Sequence, residues 1–275
     1  MPTQSEKAAN FQALHQGPEV LVIGNPWDAG TTRILTSLGF KALSTTSAGL
    51  AFTLGRRDGT ASVTREDALA NAKAIVDATA LPVAADLENG YGHAPEAAAE
   101  TIRLAADAGL VGGSIEDATG DGNNPIYDFQ HAVERIAAAV GAAHALPFPF
   151  MLVARAENYL HGRPDLDDTI RRLQAYEAAG ADVLYAPGIT SVEDIRTVCA
   201  SVKKPVNMLM GIKGAPPLSV KQLGELGVRR ISIGSGFSRA AFTAFLHAAR
   251  EVRDDGTFTF ADEALYMSEI SELFK

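Results

Sequence analysis

Eight short runs rich in Val, Ile, Leu and Ala recur along the chain, separated by segments with helical patterning, and this alternation limits the possible folds more than any other feature. The runs are EVLVIG (19–24), KALSTT (41–46), PVAAD (82–86), VGGSIE (111–116), PFMLVAR (149–155), DVLYAP (182–187), PVNMLM (205–210) and RISIG (230–234). Such runs fit strands covered on both faces, as in a parallel sheet, and the segments between them are long enough to serve as crossover helices. Four junctions repeat one chemistry. Leu38-Gly39-Phe40, Ala108-Gly109-Leu110, Ala179-Gly180-Ala181 and Leu226-Gly227-Val228 each place glycine where a helix would end in a left-handed residue. Thr64 and Ser191, each followed three residues later by Asp, read as helix N-caps.

Eight strand–helix units over about 230 residues match a TIM (β/α)8 barrel. A doubly wound open sheet is the alternative, but GNPWDAG (24–30), after the first run, lacks the G-x-G-x-x-G spacing of a dinucleotide turn. No composition break marks a second domain, so residues 1–275 read as one barrel domain, with 237–275 a helical C-terminal extension. In it, FSRAAFTAFLHAAREV (237–252) is the eighth helix, DDGT (254–257) a turn and ADEALYMSEISELFK (261–275) an extra helix. Leu265, Tyr266, Ile270, Leu273 and Phe274 form an apolar stripe on that helix, to be buried on the barrel itself or on a neighbouring subunit of a homo-oligomer, a dimer or tetramer.

A formal charge of -9 argues against a nucleic-acid partner, since phosphate binding needs a basic face. Cys199 is the only cysteine, which excludes a disulfide framework or cysteine zinc site within one chain and fits a reducing cytoplasm. The amino-terminal MPTQSEKAANF lacks the basic start and apolar stretch of a secretory signal. The longest uncharged run, Ala137 to Ala154, contains His144, Pro147 and Pro149 and is not read as a membrane segment.

In a barrel the carboxyl ends of the strands converge on one mouth, where chemistry sits. The first strand delivers Asn25, Trp27 and Asp28 there, the second Thr45, Thr46 and Ser47, and the third Asp86 and Glu88. The fourth adds Glu116 and Asp117, the fifth Arg155, Glu157 and Asn158, the seventh Asn207 and the eighth Ser235. Asp86, Glu88 and Glu116 are expected to converge, and three acids together repel one another unless a cation neutralises them. Hard oxygen donors without His or Cys favour Mg2+, or Mn2+, over zinc, with one carboxylate binding directly. Arg155, set after an apolar run, either bridges to Glu157 or receives an anionic ligand. TTSAGLA (45–51) offers small residues and backbone N–H groups for a carboxylate or phosphate, while GIKG (211–214) and GSGFSRAA (234–241) offer a competing phosphate site of phosphosugar type.

These motifs resemble the isocitrate lyase and phosphoenolpyruvate mutase superfamily, whose members are modified TIM barrels. Asp86-Leu87-Glu88-Asn89-Gly90-Tyr91-Gly92 is similar to the family's D-A-D-T-G-[FY]-G, Ile115-Glu116-Asp117 to [IL]-E-D, and Ala154-Arg155-Ala156-Glu157-Asn158 to A-R-[TV]-[DE]-A. Gly39 to Leu43, Thr45 to Gly49, Leu54 to Asp58 and AYEAAGADVLY (175–185) extend the likeness. The resemblance implies that Asp86 carries Mg2+ directly, with Asp58, Glu88 and Glu116 holding its waters. Thr46, Ser47 and Ala48 would hold the carboxylate of a 2-oxo acid, with Asn207 also in the substrate site. Arg155 would face the substrate's distal anionic group, and Asp58 would orient water or shuttle a proton. The implied chemistry passes through an enolate.

Two departures from the family pattern bear on the reaction. The lyase K-[KR]-C-G-H loop is replaced by ATGDGNNPIYDFQ (118–130), without Cys, Lys or His, and position 88 carries Glu for Asp. The leading expectation is a Mg2+-dependent lyase acting on a small 2-oxo or 2-hydroxy acid at a carbon–carbon bond. Oxaloacetate decarboxylation, which needs no cysteine acid for its departing carbon dioxide, and methylisocitrate-lyase-like cleavage both fall within it. The alternatives are a phosphonopyruvate mutase or hydrolase and a non-catalytic 2-oxo-acid binding protein.

Overall fold

In the computed structural model, which describes residues 2–215 and 217–274, eight parallel strands form one sheet in the order β1-β8-β7-β6-β5-β4-β3-β2. They are β1 (Leu21–Ile23), β2 (Leu43–Ser44), β3 (Val83–Asp86), β4 (Gly112–Glu116), β5 (Met151–Arg155), β6 (Val183–Tyr185), β7 (Val206–Leu209) and β8 (Arg230–Ser232). A parallel bridge between Gly24 and Leu43 joins the first strand's end to the second and closes the barrel. Each strand lies inside its expected run and is shorter, because the run ends belong to the connections. Of the expected 1–275 span, Met1, Pro216 and Lys275 lie outside the described residues.

Helix α1 (Gln4–Gln16) precedes the barrel. Helices α2 (Ala29–Ser37), α3 (Ser47–Thr53), α4 (Arg65–Asp77), α5 (Pro95–Asp107) and α6 (Phe129–His144) follow in the first half. The second half adds α7 (Leu166–Ala178), α8 (Val192–Ser201), α9 (Val220–Glu225), α10 (Gly236–Asp254) and α11 (Met267–Glu272). The four junction glycines adopt the expected left-handed conformation, with φ of 83°, 94°, 103° and 101° at Gly39, Gly109, Gly180 and Gly227. Thr64 and Ser191 cap α4 and α8 as expected.

Two apolar layers hold the barrel. Between strands and helices lie Ile75, Ile102, Ile115, Ile136, Leu152, Leu173, Tyr176 and Ile195, all buried. Inside the barrel, Leu21, Ile23, Ala84, Val111, Met151, Val153 and Val183 pack against Ala8 and Phe11 of α1, which closes the end opposite the carboxyl ends of the strands. Gly112 permits that plug, since a Cβ there would come within 2.9 Å of the Phe11 ring and 2.8 Å of the Met151 carbonyl oxygen.

The C-terminal segment departs from expectation. Instead of one helix over 261–275, a 3-10 turn spans Thr259–Asp262 and α11 begins only at Met267. Glu251 of α10 accepts from Thr257 Oγ1 and from the amides of Thr259 and Phe260, which pins the chain into a tight turn. Glu269 accepts from the amide of Tyr266 at 2.9 Å and so starts a new helix there. The stripe is split by these contacts. Phe274 returns to the barrel, its carbonyl oxygen accepting from Arg33, whereas Leu265, Tyr266 and Met267 face solvent at 56%, 80% and 85% exposure. Phe242, Phe245 and Leu246 of α10 are exposed as well. Among the described residues no helix is long and apolar enough to cross a membrane.

Candidate active site

The β3 run ends at Asp86, whose amide donates to Thr45 Oγ1 at 3.0 Å, and the chain then turns. Glu88 takes a left-handed conformation, φ 47°, so the alternation of the strand does not extend to it. Asp86 therefore faces the barrel axis while Glu88 looks into the space under the following loops. At the next strand, Glu116 ends β4, and across the register from it Arg155 ends β5.

Arg155 organises the acids. Its Nη1 lies 2.7 Å from Asp86 Oδ1, its Nη2 3.1 Å from Glu116 Oε2 and its Nε 2.8 Å from Glu157 Oε1. The guanidinium also lies 5.2 Å from the Tyr185 ring centroid. Of the two roles expected of Arg155, the bridge to Glu157 is formed, and the same side chain lines the cavity at the mouth. Asp86 Oδ2 accepts from Ser47, from the hydroxyl at 2.8 Å and the amide at 3.2 Å.

The cavity, about 210 Å³, is lined by Asp58, Thr46, Ser47, Ala48, Asp86, Arg155 and Asn207, which are the residues expected to act in substrate binding and catalysis. Asn25, Ser44, Tyr185, Arg230, Ser232 and Ser235 complete its wall. Glu88 and Glu116 line a second, larger cavity of about 520 Å³, with Gly59, Tyr91, Thr119 and His161. Arg155, in the wall of the first, pairs with Asp86 of that wall and with Glu116 of the second.

The electrostatics are unbalanced. Burial pushes the Glu88 carboxyl up to about 7, and the charges of Asp86 and Asp58 add to the rise. Burial, then Asp86, raises Asp58. Glu116 is held well above the ordinary carboxylate range by burial and by Glu157, Asp86 and Glu88, with Arg155 pulling the other way. Five carboxylates, Asp58, Asp86, Glu88, Glu116 and Glu157, thus share the field of one guanidinium. No three His, Cys, Asp or Glu side chains among the described residues converge as a closed ligand set. Open oxygen donors in excess over cations, with Asp58 and Asp86 both at the cavity, nonetheless fit Mg2+, which takes one or two protein carboxylates and keeps its waters.

A raised carboxyl contributes stability below its ordinary value, 4.5 for Glu88, and that contribution is lost as pH rises through its folded value of about 7. Denaturant titrations in chelator should therefore find Glu88→Gln equal to wild type near pH 4 and more stable at pH 8, by up to about 3 kcal/mol. A wild-type advantage at pH 8 would contradict the assignment.

Other strand-end residues are structural. Asp28 caps α2, accepting from the Thr31 amide at 2.7 Å. Asn158 ties down its loop through Arg163, Asp165 and Thr169. Asp117, 1% exposed, accepts from Tyr176 Oη at 2.6 Å, Arg172 Nη1 at 3.0 Å and the Glu157 amide at 2.8 Å. It holds α7 to the mouth and sets the backbone that presents Glu157. The loop 118–130 is compact. An antiparallel bridge joins Ala118 to Ile126, Thr119 Oγ1 donates to the Asn124 carbonyl oxygen, and Asn123 and Asn124 face solvent.

Strand-end reasoning overlooks Arg230 and Tyr185. Arg230 opens β8 and Tyr185, which carries no charge or amide, ends β6; both point into the barrel, and the signal for Arg230 is the alternation Arg-Ile-Ser-Ile in the eighth run, with Ile231 in the outer apolar layer.

Sequence and structure comparisons identify the family. The phosphoenolpyruvate phosphomutase family model matches residues 11–253. A solved structure from Burkholderia cenocepacia J2315, to which lyase or mutase activity has been ascribed, is 56% identical with a TM-score of 0.95, covering 98% of this chain and 96% of that one. Oxaloacetate decarboxylase of Bradyrhizobium diazoefficiens is 30% identical over 81% of this chain and 76% of its own length. The 2-methylisocitrate lyase of Shewanella oneidensis is 29% identical over 92% and 87%. The chain therefore belongs to the phosphoenolpyruvate phosphomutase family, within the isocitrate lyase/phosphoenolpyruvate mutase superfamily of lyases and mutases.

Proposed function

We propose that the protein is a Mg2+-dependent lyase that cleaves a carbon–carbon bond of a small 2-oxo or 2-hydroxy carboxylic acid, by oxaloacetate decarboxylation or a methylisocitrate-type cleavage. The observation that carries this reading is the surplus of carboxylates over Arg155 at a cavity whose wall also presents hydrogen-bond donors. The activities of the two named relatives support it.

Asp86 would hold the ion, with Asp58, Glu88 and Glu116 orienting its waters; Mn2+ suits the same donors. When bound, Mg2+ would supply Lewis-acid stabilisation of the negative charge that develops on the substrate's carbonyl oxygen. The chain's own groups do the rest. The Ser47 amide and hydroxyl, now donating to Asp86, and the neighbouring backbone at Thr46 and Ala48 would receive the substrate's carboxylate. Asp58, its carboxyl raised, is the group placed at the cavity to hold or deliver a proton to the enolate carbon once carbon dioxide or another fragment has left.

The same reading places the enzyme in the cytoplasm, in keeping with the free thiol of Cys199, and makes residues 1–275 one barrel domain. The apolar faces of α10 and the 257–274 segment would pair with a second copy. Phe245→Glu should then shift the particle mass toward the monomer by light scattering, and an unchanged mass would argue against that face.

A panel of oxaloacetate, methylisocitrate, isocitrate and phosphonopyruvate, run with Mg2+ and with chelator, tests the reaction. Metal-dependent release of pyruvate or another 2-oxo acid is expected. Release of phosphate, or its transfer to oxygen, from phosphonopyruvate would establish the phosphonate chemistry instead. Binding without turnover would identify a binding protein.

A further inference from the structure

Arg230, the first residue of β8, is 5% exposed inside the barrel. Its register neighbours are Leu21 of β1 and Asn207 of β7. Its Nε and Nη1 are buried without a hydrogen-bond partner. Among the described residues no carboxylate pairs with it, since the ion pairs of the mouth converge on Arg155 and Arg172. The groups that share its field are Tyr185 and His15, and burial holds both in their neutral forms near pH 7. A buried guanidinium without a counter-charge costs several kcal/mol, and no ion pair among the described residues offsets it. Arg230 nevertheless lines the cavity at the mouth, as does Asn207, whose Oδ1 is also buried and unpartnered while its Nδ2 donates to Ser232 Oγ at 3.0 Å.

Arg155, by contrast, is saturated, with Nε, Nη1 and Nη2 each on a carboxylate. Arg230, the deeper cation, is the one that no carboxylate among the described residues holds. Tyr185 stands between them, its ring under Arg155 and its hydroxyl in the field of Arg230. The cavity of about 210 Å³ corresponds to roughly seven water volumes at about 30 Å³ each, room for a short acid but not for a long chain.

We propose that Arg230 is the specificity residue of this site. It receives a second carboxylate, at the end of the substrate remote from the group held at Ser47 and Asp86, with Asn207 beside it for a hydroxyl or a protonated oxygen. The substrate is then a short dicarboxylic 2-oxo or 2-hydroxy acid, which narrows the class given above and rests on that reading.

Calorimetric titration with Mg2+ present, using pyruvate, malate and 2-oxoglutarate on wild type, Arg230→Met and Arg230→Lys, tests the assignment. Wild type should bind at least one dicarboxylate more tightly than pyruvate. Arg230→Met should weaken that dicarboxylate about 10- to 100-fold, the range of a lost charge-assisted hydrogen bond, and change pyruvate less than about 2-fold, with Arg230→Lys between. The melting temperature of ligand-free Arg230→Met should be equal to or above that of wild type, because the substitution removes an unpaired buried charge. Equal weakening of all ligands, a dicarboxylate preference that survives the substitution, or a lowered melting temperature would give Arg230 a structural role and overturn the inference. Wild type that binds pyruvate but no dicarboxylate overturns this inference alone; wild type that binds none of the three acids overturns the 2-oxo-acid reading as well.

Discussion

Asp86→Asn is expected to reduce turnover of the cognate acid by about 10³-fold or more while leaving the fold intact, the largest kinetic effect of any single substitution in the site. Asp86 is the one carboxylate that touches both the substrate-side donors, Ser47 N and Oγ, and Arg155. Loss of its charge removes the direct ligand proposed for the metal. Electrostatic stabilisation of this kind contributes several kcal/mol to the barrier, and each 1.36 kcal/mol is about tenfold in rate. The amide keeps the size and one acceptor oxygen, and it relieves the repulsion that raises Asp58 and Glu88. The metal-free variant should accordingly melt no lower than wild type. Steady-state kinetics across Mg2+ concentrations, paired with melting curves in chelator, check both halves. A variant within 10-fold of wild-type turnover would show that Asp86 is not the centre of the site.

The largest effect on stability is expected at the adjoining acid. Asp117→Ala should cost about 3–5 kcal/mol, the range for breaking a buried ion pair by removing one partner. The substitution removes one of the two carboxylates on the Arg172 guanidinium, which keeps Asp168, and strands the Tyr176 hydroxyl and the Glu157 amide, all buried around a residue only 1% exposed. For a chain of this length that corresponds to a fall of roughly 10 °C in melting temperature. Because the Glu157 amide loses its acceptor, the Glu157–Arg155 pair loosens too, and turnover falls in the surviving folded fraction. Denaturant unfolding of Asp117→Ala and Asp117→Asn separates charge from packing, with the amide expected to recover part of the loss. A cost below about 1 kcal/mol would mean that the network is not a support of the mouth.

Most of the fold is legible in the sequence because its signals are local. Apolar runs covered on both faces, glycine at helix ends and threonine or serine caps each act within a few residues, and all recur in register. The plug helix α1 is not legible: only Lys7, Ala8 and Phe11 of its thirteen residues are buried, too few to write an apolar stripe. The break in the C-terminal segment is hidden for a different reason, since Glu251 captures the 257–260 backbone from a preceding helix. In the site, residues at or just beyond the strand ends bring Thr46, Ser47, Ala48, Asp86 and Arg155 around one cavity, because barrel topology converts chain order into convergence, and Asp58, beyond α3, and Asn207, within β7, join them there. Chain order does not separate working acids from supporting ones. Glu116 and Asp117 are neighbours in sequence, yet one turns to the mouth and the other to α7, and the partners that distinguish them, Arg172 and Tyr176, lie 55 and 59 positions away. Arg230 escapes the same reading because it opens its strand, at the end opposite the carboxyl ends where the other residues collect.

The central claim is that the acids around Arg155 outnumber it in order to seat a divalent ion shared with a 2-oxo acid. An anomalous-scattering map of crystals grown with Mn2+ and pyruvate tests it most directly. The account predicts a metal peak beside Asp86, with Glu88 and Glu116 turned toward it and the pyruvate carboxylate at Ser47. A map in which Arg155 still holds Asp86, Glu116 and Glu157, with no peak among them at saturating Mn2+, would contradict it.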